Sequence, residues 1–356
     1  MSRLVIRCNG LTKRFGNVLA VDGVDLEVDQ GQVLFLIGPS GCGKTTTLRL
    51  IAGFEVPDAG SIEIGDKVVV DSRHMVPPEQ RRVGMVFQDY ALFPHITVAE
   101  NVAFGLPHLS SNERTRAIDH VLGMVGLGDL KQRHPYELSG GQQQRIALAR
   151  ALAPQPTVIL LDEPFSNVDA ALRARVRAEV RDILANVGAT AIFVTHDQEE
   201  ALSTADKVAV MWAGRVVQID TPKLIYNAPA TREVAQFVGD MDTLPGEAQE
   251  GRVWCELGQL VCQSEASGQV DVFIQPESVR LMASANGDAQ VVRREFFGHD
   301  QRYTVRLSSG RTIRARANAE VSFDIGESVR ISVQNSVLVF PALTSAIASG
   351  VGLIRE

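Results

Sequence analysis

The sequence predicts an α/β domain with an inserted helical region, followed by a smaller all-β domain. Two short apolar runs, residues 33–37 and 158–161, have the length and composition of buried parallel strands. The first run leads directly into a glycine-rich loop and a predicted helix, the context that a phosphate-binding loop requires. After residue 246, apolar and polar residues alternate, as is typical of the short strands of a barrel or sandwich.

The composition excludes several classes of protein. With 356 residues, 45% of them hydrophobic and 22% charged, the chain is long enough for two or three ordinary globular domains. Its net charge of −7 argues against a nucleic-acid partner. We expect neither a membrane-spanning segment nor a signal peptide, because no apolar run is long enough. The cysteines form no C-x-x-C pair, so neither a zinc site nor a disulfide framework is indicated, and a reducing cytoplasm is expected.

The glycine-rich loop follows the first apolar run and precedes a helix predicted over residues 46–52. Its glycines let the backbone approach a phosphate, and its N–H groups point at the anion together with the helix N-terminus. Lys44 adds a positive charge for the β- and γ-phosphates, and Thr45 offers a hydroxyl to Mg²⁺. The predicted site for a nucleoside triphosphate and Mg²⁺ comprises Gly38, Pro39, Ser40, Gly41, Cys42, Gly43, Lys44, Thr45 and Thr46.

Two acidic residues, Asp162 and Glu163, end the second apolar run. Ligands bind at the carboxyl edge of a parallel sheet, so we expect both carboxylates beside the glycine loop. Asp162 is suited to hold Mg²⁺, and Glu163 is suited to polarise an attacking water. His196 follows another apolar run and is expected at the same edge, hydrogen bonded to the γ-phosphate and the water. Thr195 and Gln198 are predicted to form a capping box for the next helix.

Helical signals dominate about residues 89–156, which are predicted to form an inserted helical subdomain. Three capping boxes mark helix starts, at Thr97 with Glu100, Ser110 with Glu113, and Ser139 with Gln142. The last box contains two glycines in its first turn, which weaken a helix. That cost is understandable if the bare helix terminus must meet a phosphate. Gln88 lies where the sheet passes into the insert and is suited to reach Mg²⁺ or water and to act as a hinge.

These motifs, in this order, make residues 3–235 similar to the ATP-binding subunits of ABC transporters. Besides the glycine loop and the acidic strand end, the chain carries the family's signature as Leu138-Ser139-Gly140-Gly141-Gln142. Gln88 corresponds to the family's Q-loop and His196 to its switch histidine. Its D-loop is Ser166-Asn167-Val168-Asp169, with Val168 where the family more often has leucine. Phe15 stands where the family stacks an aromatic residue, usually tyrosine, on adenine.

The resemblance implies a mechanism and a set of partners. Two copies are expected to face each other head to tail, so that each ATP is enclosed by both. Glu163 is then the catalytic base, assisted by His196 and Gln88, while Thr45, Gln88 and Asp162 hold Mg²⁺. The second copy contributes Ser139, Gly141 and Gln142, and Gly140 and Asp169 are further expected nucleotide-binding residues. Expected partners are a second copy, integral membrane permease subunits and, indirectly, a periplasmic or lipid-anchored solute-binding protein, at the cytoplasmic face of the inner membrane.

The tail of the chain resembles the oligonucleotide-fold-like regulatory (TOBE) domain on ATPases of bacterial importers. Three segments look like those of the iron(III), polyamine and related subgroup: Leu244-Pro245-Gly246, Gln275-Pro276-Glu277 and Phe296-Phe297-Gly298-His299-Asp300. We place the ATP-binding domain at residues 1–238 and the β-rich domain at 239–356, with a linker over 239–246. Two roles remain open for the β-rich domain, dimer stabilisation or sensing of a ligand or partner. Arg293, Arg294 and Arg302 are candidates for binding an anion.

The leading hypothesis is the motor of an importer, with iron(III) as the first choice of solute. Polyamine, thiamine, phosphonate and sulfate remain alternatives, because the cargo path lies in another polypeptide. A soluble ABC ATPase acting on nucleic acid or ribosomes is the second hypothesis, although the chain has one cassette and no heptad run. A nucleotide-regulated binding module with little turnover is the third, and the presence of Glu163 and His196 argues against it.

Overall fold

A computed structural model describes residues 3–263 and 265–342, apart from the side chains of residues 170 and 171. By compactness the chain divides into two units, Met1–Asn227 and Ala228–Glu356. The sequence places the boundary eleven residues later, after residue 238, and that position stays a prediction. Among the described residues, no helix is both long enough and apolar enough to cross a bilayer.

Ten strands form two sheets in the first unit. They are β1 Leu4–Phe15, β2 Val18–Asp29, β3 Val33–Ile37, β4 Ala59–Ile64, β5 Lys67–Val70, β6 Val83–Val86, β7 Val158–Asp162, β8 Ala191–Val194, β9 Lys207–Trp212 and β10 Arg215–Asp220. One sheet is antiparallel, with strand order β2-β1-β4-β5, and the other has the order β10-β9-β3-β8-β7-β6. In the second sheet only β10 runs antiparallel to its neighbour. Strands β3, β7 and β8 are buried on both faces, as the continuous apolar runs predict.

Helices cover the mixed sheet and build the insert. They are α1 Lys44–Ala52, α2 Val98–Ala103, α3 Ser111–Met124, α4 Gly140–Leu152, α5 Ala170–Asn186, α6 Gln198–Thr204 and α7 Pro222–Asn227. Helices α2, α3 and α4 begin at the three capping boxes that the sequence predicts, with both reciprocal hydrogen bonds formed in each. Helix α1 starts at Lys44, two residues earlier than expected, because the loop closes directly into the first turn.

The described part of the second unit contains one α-helix, α8 Arg232–Val238, and two five-stranded antiparallel sheets. Their strands are β11 Asp242–Gln249, β12 Arg252–Cys255, β13 Gly258–Val261, β14 Gly268–Ile274, β15 Val279–Ala283, β16 Ala289–Phe296, β17 Asp300–Leu307, β18 Thr312–Asn318, β19 Ser328–Val333 and β20 Leu338–Pro341. The sheet orders are β13-β12-β11-β14-β20 and β15-β19-β16-β17-β18. The period-two pattern over β14, β17 and β19 is confirmed, and its apolar members form the core between the sheets.

The expected linker at residues 239–246 is wrong over most of its length, since β11 begins at Asp242. The proline and glycine in this stretch suggest a linker, yet both fit the strand. Pro245 pairs with β14 on one side, and pairing with β12 starts only at Gly246, so Pro245 needs no donor on the other side. Leu244 is buried, and Asp242 accepts hydrogen bonds from the backbone and guanidinium of Arg314, which hold the strand entry.

A buried amide organises the core of the second unit. Gln301 is fully buried, and its nitrogen donates to the carbonyls of Ala319 at 3.0 Å and Val321 at 2.6 Å. Its oxygen accepts from Arg294 Nε at 2.7 Å and from the Tyr303 hydroxyl at 3.0 Å. Each polar atom of the amide is therefore satisfied, as burial requires.

We expect Gln301→Leu to lower the free energy of unfolding of the second unit by roughly 3 kcal/mol or more, because several buried groups lose their partner at once. Urea denaturation of the full chain measures the loss. Gln290→Leu is the matched control, since Gln290 is exposed on the neighbouring strand and makes one hydrogen bond. Equal effects of the two substitutions would contradict the importance of this network.

Candidate functional site

The predicted site residues of the sheet lie along one edge. Strands β3, β8, β7 and β6 are parallel neighbours in that order, so the segments that follow them start at the same edge. These segments are the glycine loop after β3, Thr195 and His196 after β8, Asp162 and Glu163 at the end of β7, and Gln88 after β6. The edge thus brings together a phosphate loop, two carboxylates, an imidazole and an amide.

Two glycines of the loop are required by close backbone approach. A Cβ on Gly38 would lie 2.1 Å from the carbonyl oxygen of Met211, and one on Gly43 would lie 2.2 Å from that of Ala20. Both residues also have positive φ, 155° and 105°. Gly43 is the N-cap of α1 and supplies no side-chain cap, so the first N–H groups of the helix remain free to bind an anion.

Lys44 lies folded back over the loop. Its ammonium group donates to the carbonyls of Gly38 at 2.8 Å and Pro39 at 2.9 Å, and the side chain is almost fully buried. The Cys42 thiol lies 3.8 Å from the same ammonium, and burial raises the pKa of that thiol while Lys44 opposes the rise. The loop therefore concentrates positive charge and N–H donors on one small surface, which suits a phosphate.

Thr45 and Asp162 are in direct contact. The Thr45 hydroxyl donates to Asp162 Oδ1 at 3.0 Å, and Asp162 is only 7% exposed. Burial raises the pKa of Asp162, and the Thr45 hydrogen bond partly offsets that rise. The Thr45 hydroxyl and the Asp162 carboxylate are oxygen ligands of the kind that Mg²⁺ prefers, and phosphate oxygens and water commonly complete such a set. Within residues 3–263 and 265–342, no three His, Cys, Asp or Glu side chains cluster as a metal site.

Glu163 is held in a strained conformation beside His196. Its φ is 45°, in the left-handed region that costs energy for a residue with a side chain. The backbone is fixed on both sides, because its N–H donates to the Val194 carbonyl and its carbonyl accepts from the N–H and hydroxyl of Ser166. Glu163 Oε2 lies 3.2 Å from Nδ1 of His196, whose side chain is 60% exposed. The pair thus presents a carboxylate and an imidazole to the site.

The predicted capping box of Thr195 and Gln198 is wrong. The N-cap of α6 is Asp197, whose carboxylate accepts from the N–H groups of Glu199 and Glu200. Thr195 instead accepts from the N–H of Asp197 at 3.0 Å and donates to the buried Glu200 carboxylate at 2.6 Å. Asp197 competes better for the cap because its charged oxygen reaches two orphan donors. The threonine is left to fix the loop that carries His196.

Gln88 is exposed, and its role toward Mg²⁺ or water stays a prediction. Its main-chain carbonyl accepts from the side-chain amide of Asn167 at 2.8 Å. This contact joins the Q-loop to the D-loop, where Asp169 is the exposed N-cap of α5 and makes no side-chain capping bond. The D-loop motif does not indicate this contact, because nothing in the sequence of either segment points to the other.

The signature and Phe15 lie on elements other than the parallel strands, at the start of α4 and at the end of β1. Ser139 is exposed as the N-cap of α4, with its hydroxyl accepting from the Gln142 N–H at 3.4 Å. A Cβ on Gly141 would lie 3.1 Å from a methyl of Val176, so a larger residue would crowd α5. Phe15 ends β1, is 45% exposed, and has the Lys13 ammonium 5.1 Å from its ring centroid. An exposed ring of this kind is suited to stacking on a base.

Sequence reasoning missed Arg150 and its contacts. This arginine lies in the last turn of α4 and donates to the main-chain carbonyls of Tyr90 and Ala91, just after Gln88. A basic residue at a helix C-terminus is normally explained by the helix dipole alone. The contact of Arg150 with the loop after Gln88 therefore cannot be predicted from the sequence.

A cavity of about 1000 Å³ lies elsewhere in the first unit. It is lined by residues at the amino ends of the parallel strands, such as Arg82, Thr157 and Thr190, and by one face of α3. None of the predicted site residues lines it. The candidate site is therefore the open edge formed by the motifs.

Comparison with known proteins agrees with this geometry. The ABC transporter family matches residues 21–166, and the TOBE domain family matches residues 272–340. The Fe(3+) ions import ATP-binding protein FbpC 2 of Rhodococcus jostii is 47% identical over 309 residues, which cover 86% of this chain and 88% of that protein. The FbpC protein of Brucella abortus strain 2308, also named an Fe(3+) ions import ATP-binding protein, is 41% identical over 332 residues, covering 90% and 93% of the two chains.

A solved structure shares the fold of the first unit. It is cbiO1 from Clostridium perfringens, described as part of the ABC transporter complex cbiONQ, with 28% identity and a TM-score of 0.57. The match covers 63% of this chain and 90% of that one. Family, relatives and fold agree with the α/β ATPase architecture and the β-rich tail. The chain belongs to the ABC transporter family, as one of its ATP-hydrolysing, ATP-binding subunits with a TOBE domain.

Proposed function

We propose that the chain is the motor of a bacterial importer that takes up iron(III), working as a homodimer on permease subunits at the cytoplasmic face of the inner membrane. The names of the Rhodococcus and Brucella relatives support iron as the cargo. Polyamine, thiamine, phosphonate and sulfate are the alternative solutes. The solute would pass through the permease subunits, so the residues of this chain need not distinguish among them. Nucleic acid is not a proposed partner.

The cargo is tested by reconstitution with the permease in lipid vesicles. We expect a solute-binding protein loaded with Fe³⁺ to raise ATP turnover above that with the same protein free of iron. Stimulation by a polyamine-, thiamine-, phosphonate- or sulfate-loaded binding protein, and not by the iron-loaded one, would reassign the solute while leaving the motor role intact.

The homodimer proposal rests on two separate phosphate-binding surfaces, each called a grip below. One grip is the glycine loop with the free N-terminus of α1, and the other is the exposed N-terminus of α4 at Ser139. Each grip alone leaves a bound γ-phosphate open to solvent on one side. A second copy, turned head to tail, supplies the missing half at both sites, which is the closed symmetry common in homodimers.

Within such a closed site each residue has a distinct task. The glycine loop and Lys44 bind the phosphates of ATP, and Phe15 stacks on its base. Bound Mg²⁺, held by Thr45, Asp162 and Gln88, would neutralise phosphate charge and position the phosphates for in-line attack. Glu163 accepts a proton from the attacking water, and His196 hydrogen bonds the γ-phosphate and orients the Glu163 carboxylate. Ser139, Gly140, Gly141, Gln142 and Asp169 of the second copy close the site.

Glu163→Gln should bind ATP and form a stable ATP-dependent dimer while its turnover falls by about 10²–10⁴-fold, because the amide cannot accept the proton. Phosphate release measures turnover, and size-exclusion chromatography with ATP measures dimerisation. Glu199→Gln, an exposed glutamate on α6, is the matched control. Turnover near the unmodified rate in Glu163→Gln would show that another group is the base.

Ser139→Arg, made in the Glu163→Gln chain, should bind ATP but remain monomeric, because the arginine side chain fills the surface that meets the partner's γ-phosphate. Ser110→Arg is a matched control, since Ser110 caps α3 through the same type of box and lies outside the predicted site. Persistence of the ATP-dependent dimer in the Ser139 variant would refute the arrangement in which the signature serves the second copy.

An exposed aromatic residue on the insert supports the permease contact. Phe104 follows α2 and is 67% exposed, and its ring lies 4.7 Å from that of Phe93 in the loop after Gln88. A membrane subunit bound at Phe104 would therefore lie against the loop that follows Gln88. Burial of a phenylalanine ring of this kind stabilises an interface by about 1.5–3 kcal/mol.

Phe104→Ser should lower the fraction of the chain that sediments with membranes of the source cell, while ATP binding by the purified chain is unchanged. Phe296→Ser is the control, because Phe296 has a similar exposure of 64% but lies in the second unit. Unchanged membrane association of the Phe104 variant would remove this residue from the proposed permease surface.

A further inference from the structure

The loop after Gln88 contains two neighbouring residues in an unfavourable backbone conformation. Tyr90 has a φ of 61° and Ala91 a φ of 47°, and neither is a glycine. Left-handed conformations cost energy for residues with a side chain and persist only where the surroundings enforce them. The Tyr90 side chain is buried whereas Ala91 is exposed, so packing alone cannot fix the second of the two.

Arg150 supplies the constraint. Its Nη1 donates to the Ala91 carbonyl at 2.6 Å, and its Nη2 donates to the Tyr90 carbonyl at 2.8 Å. The guanidinium also lies 5.9 Å from the ring centroid of Phe93, further along the same loop. The rigid fork of arginine matches two successive carbonyls that point the same way, and the left-handed conformation is what aligns them.

The same helix carries the signature at its other end. Arg150 lies in the last turn of α4, and Ser139 caps the first, so about 15 Å of continuous helix separates them. Seven residues of α4 are buried, which fixes the helix within the insert. A displacement of its N-terminus is therefore carried to Arg150 rather than absorbed by bending.

A second contact holds the loop at its start. The Asn167 side chain donates to the main-chain carbonyl of Gln88 at 2.8 Å. The carbonyl of Asn167 in turn lies against Gly140, where a Cβ would be 3.5 Å away. Gln88 is thus connected to both ends of α4, here called the signature helix. Asn167 makes the connection near the first turn, and Arg150 makes it at the last turn through Tyr90 and Ala91.

We propose that Arg150 is a positioning residue that fastens the strained loop after Gln88 to the signature helix. The inference rests on the proposed homodimer, in which the first turn of α4 meets the nucleotide of the second copy. Movement of α4 on meeting that nucleotide then shifts Tyr90 and Ala91 and sets the position of Gln88 in its own site. Without the arginine, the loop relaxes to negative φ and Gln88 leaves its working position.

The test compares kcat and KM for ATP in the full chain. Arg150→Met should lower kcat by about 10-fold or more with KM changed by less than about 3-fold, because the glycine loop still binds ATP while Gln88 is displaced. The kcat of Arg150→Lys should lie between those of the unmodified chain and Arg150→Met, since a single ammonium cannot donate to both carbonyls as the guanidinium does. Arg145→Met, on the same helix and bonded to the Val125 carbonyl, is the matched control and should have the smaller effect on kcat.

Rescue by glycine separates positioning from simple stabilisation. Glycine adopts positive φ without penalty, so Ala91→Gly in the Arg150→Met chain should restore several-fold of the lost kcat, measured against Ala91→Gly alone. A failure of rescue, or an Arg145→Met loss as large as that of Arg150→Met, overturns the proposal. Should Arg150→Met fail to fold, the same rescue is measured in Arg150→Lys.

The proposed function is tested separately in the same chains. Glu163→Gln with Arg150→Met should still form the ATP-dependent dimer, because the loop is displaced within the site and the signature surface is intact. If Glu163→Gln forms the dimer but the double variant does not, the role assigned to Arg150 is overturned. Absence of the dimer in Glu163→Gln by itself contradicts the homodimer instead.

Discussion

The proposed site depends on free backbone donors at two helix N-termini. Helix α1 begins at a glycine that caps nothing, and α4 begins with two glycines behind a serine cap. Unpaired N–H groups and the helix dipole give each terminus a partial positive charge that water satisfies when no anion is bound. Both helix starts cost helix stability, and in the proposed site a bound phosphate would offset that cost.

The sheet explains why the chemistry gathers at the first of these termini. Parallel order places the ends of β3, β6, β7 and β8 at one edge, so residues more than a hundred positions apart become neighbours. The strained backbone of Glu163 and the Thr195–Glu200 contact then fix the carboxylate and the histidine loop. Such fixed geometry lets a carboxylate act in a single orientation, which favours proton transfer over mere binding.

Motifs with a local cause could be predicted from the sequence. The glycine loop, the three capping boxes and the apolar strands follow from the spacing of a few neighbouring residues, and the structure has all of them. Where two neighbouring residues or two local structures compete, the sequence predicts the outcome less well. Asp197 displaced Thr195 as a cap, and Pro245 belongs to a strand because its missing donor faces no partner.

Contacts between distant segments could not be predicted in this way. Arg150 and Ala91 are 59 positions apart, and no property of either residue indicates the other. The strain at Tyr90 and Ala91 is invisible in the sequence as well, because neither residue type favours positive φ. The roles of the site residues in catalysis follow from their placement and stay predictions until variants are measured.

The central claim is that one ATP needs two chains, and its most direct test is ATP turnover per chain over a series of protein concentrations. Sedimentation velocity in the same solutions gives the fraction of single chains. The account predicts that turnover per chain falls as dilution separates the copies. Constant turnover per chain, at concentrations where only single chains sediment, would contradict it.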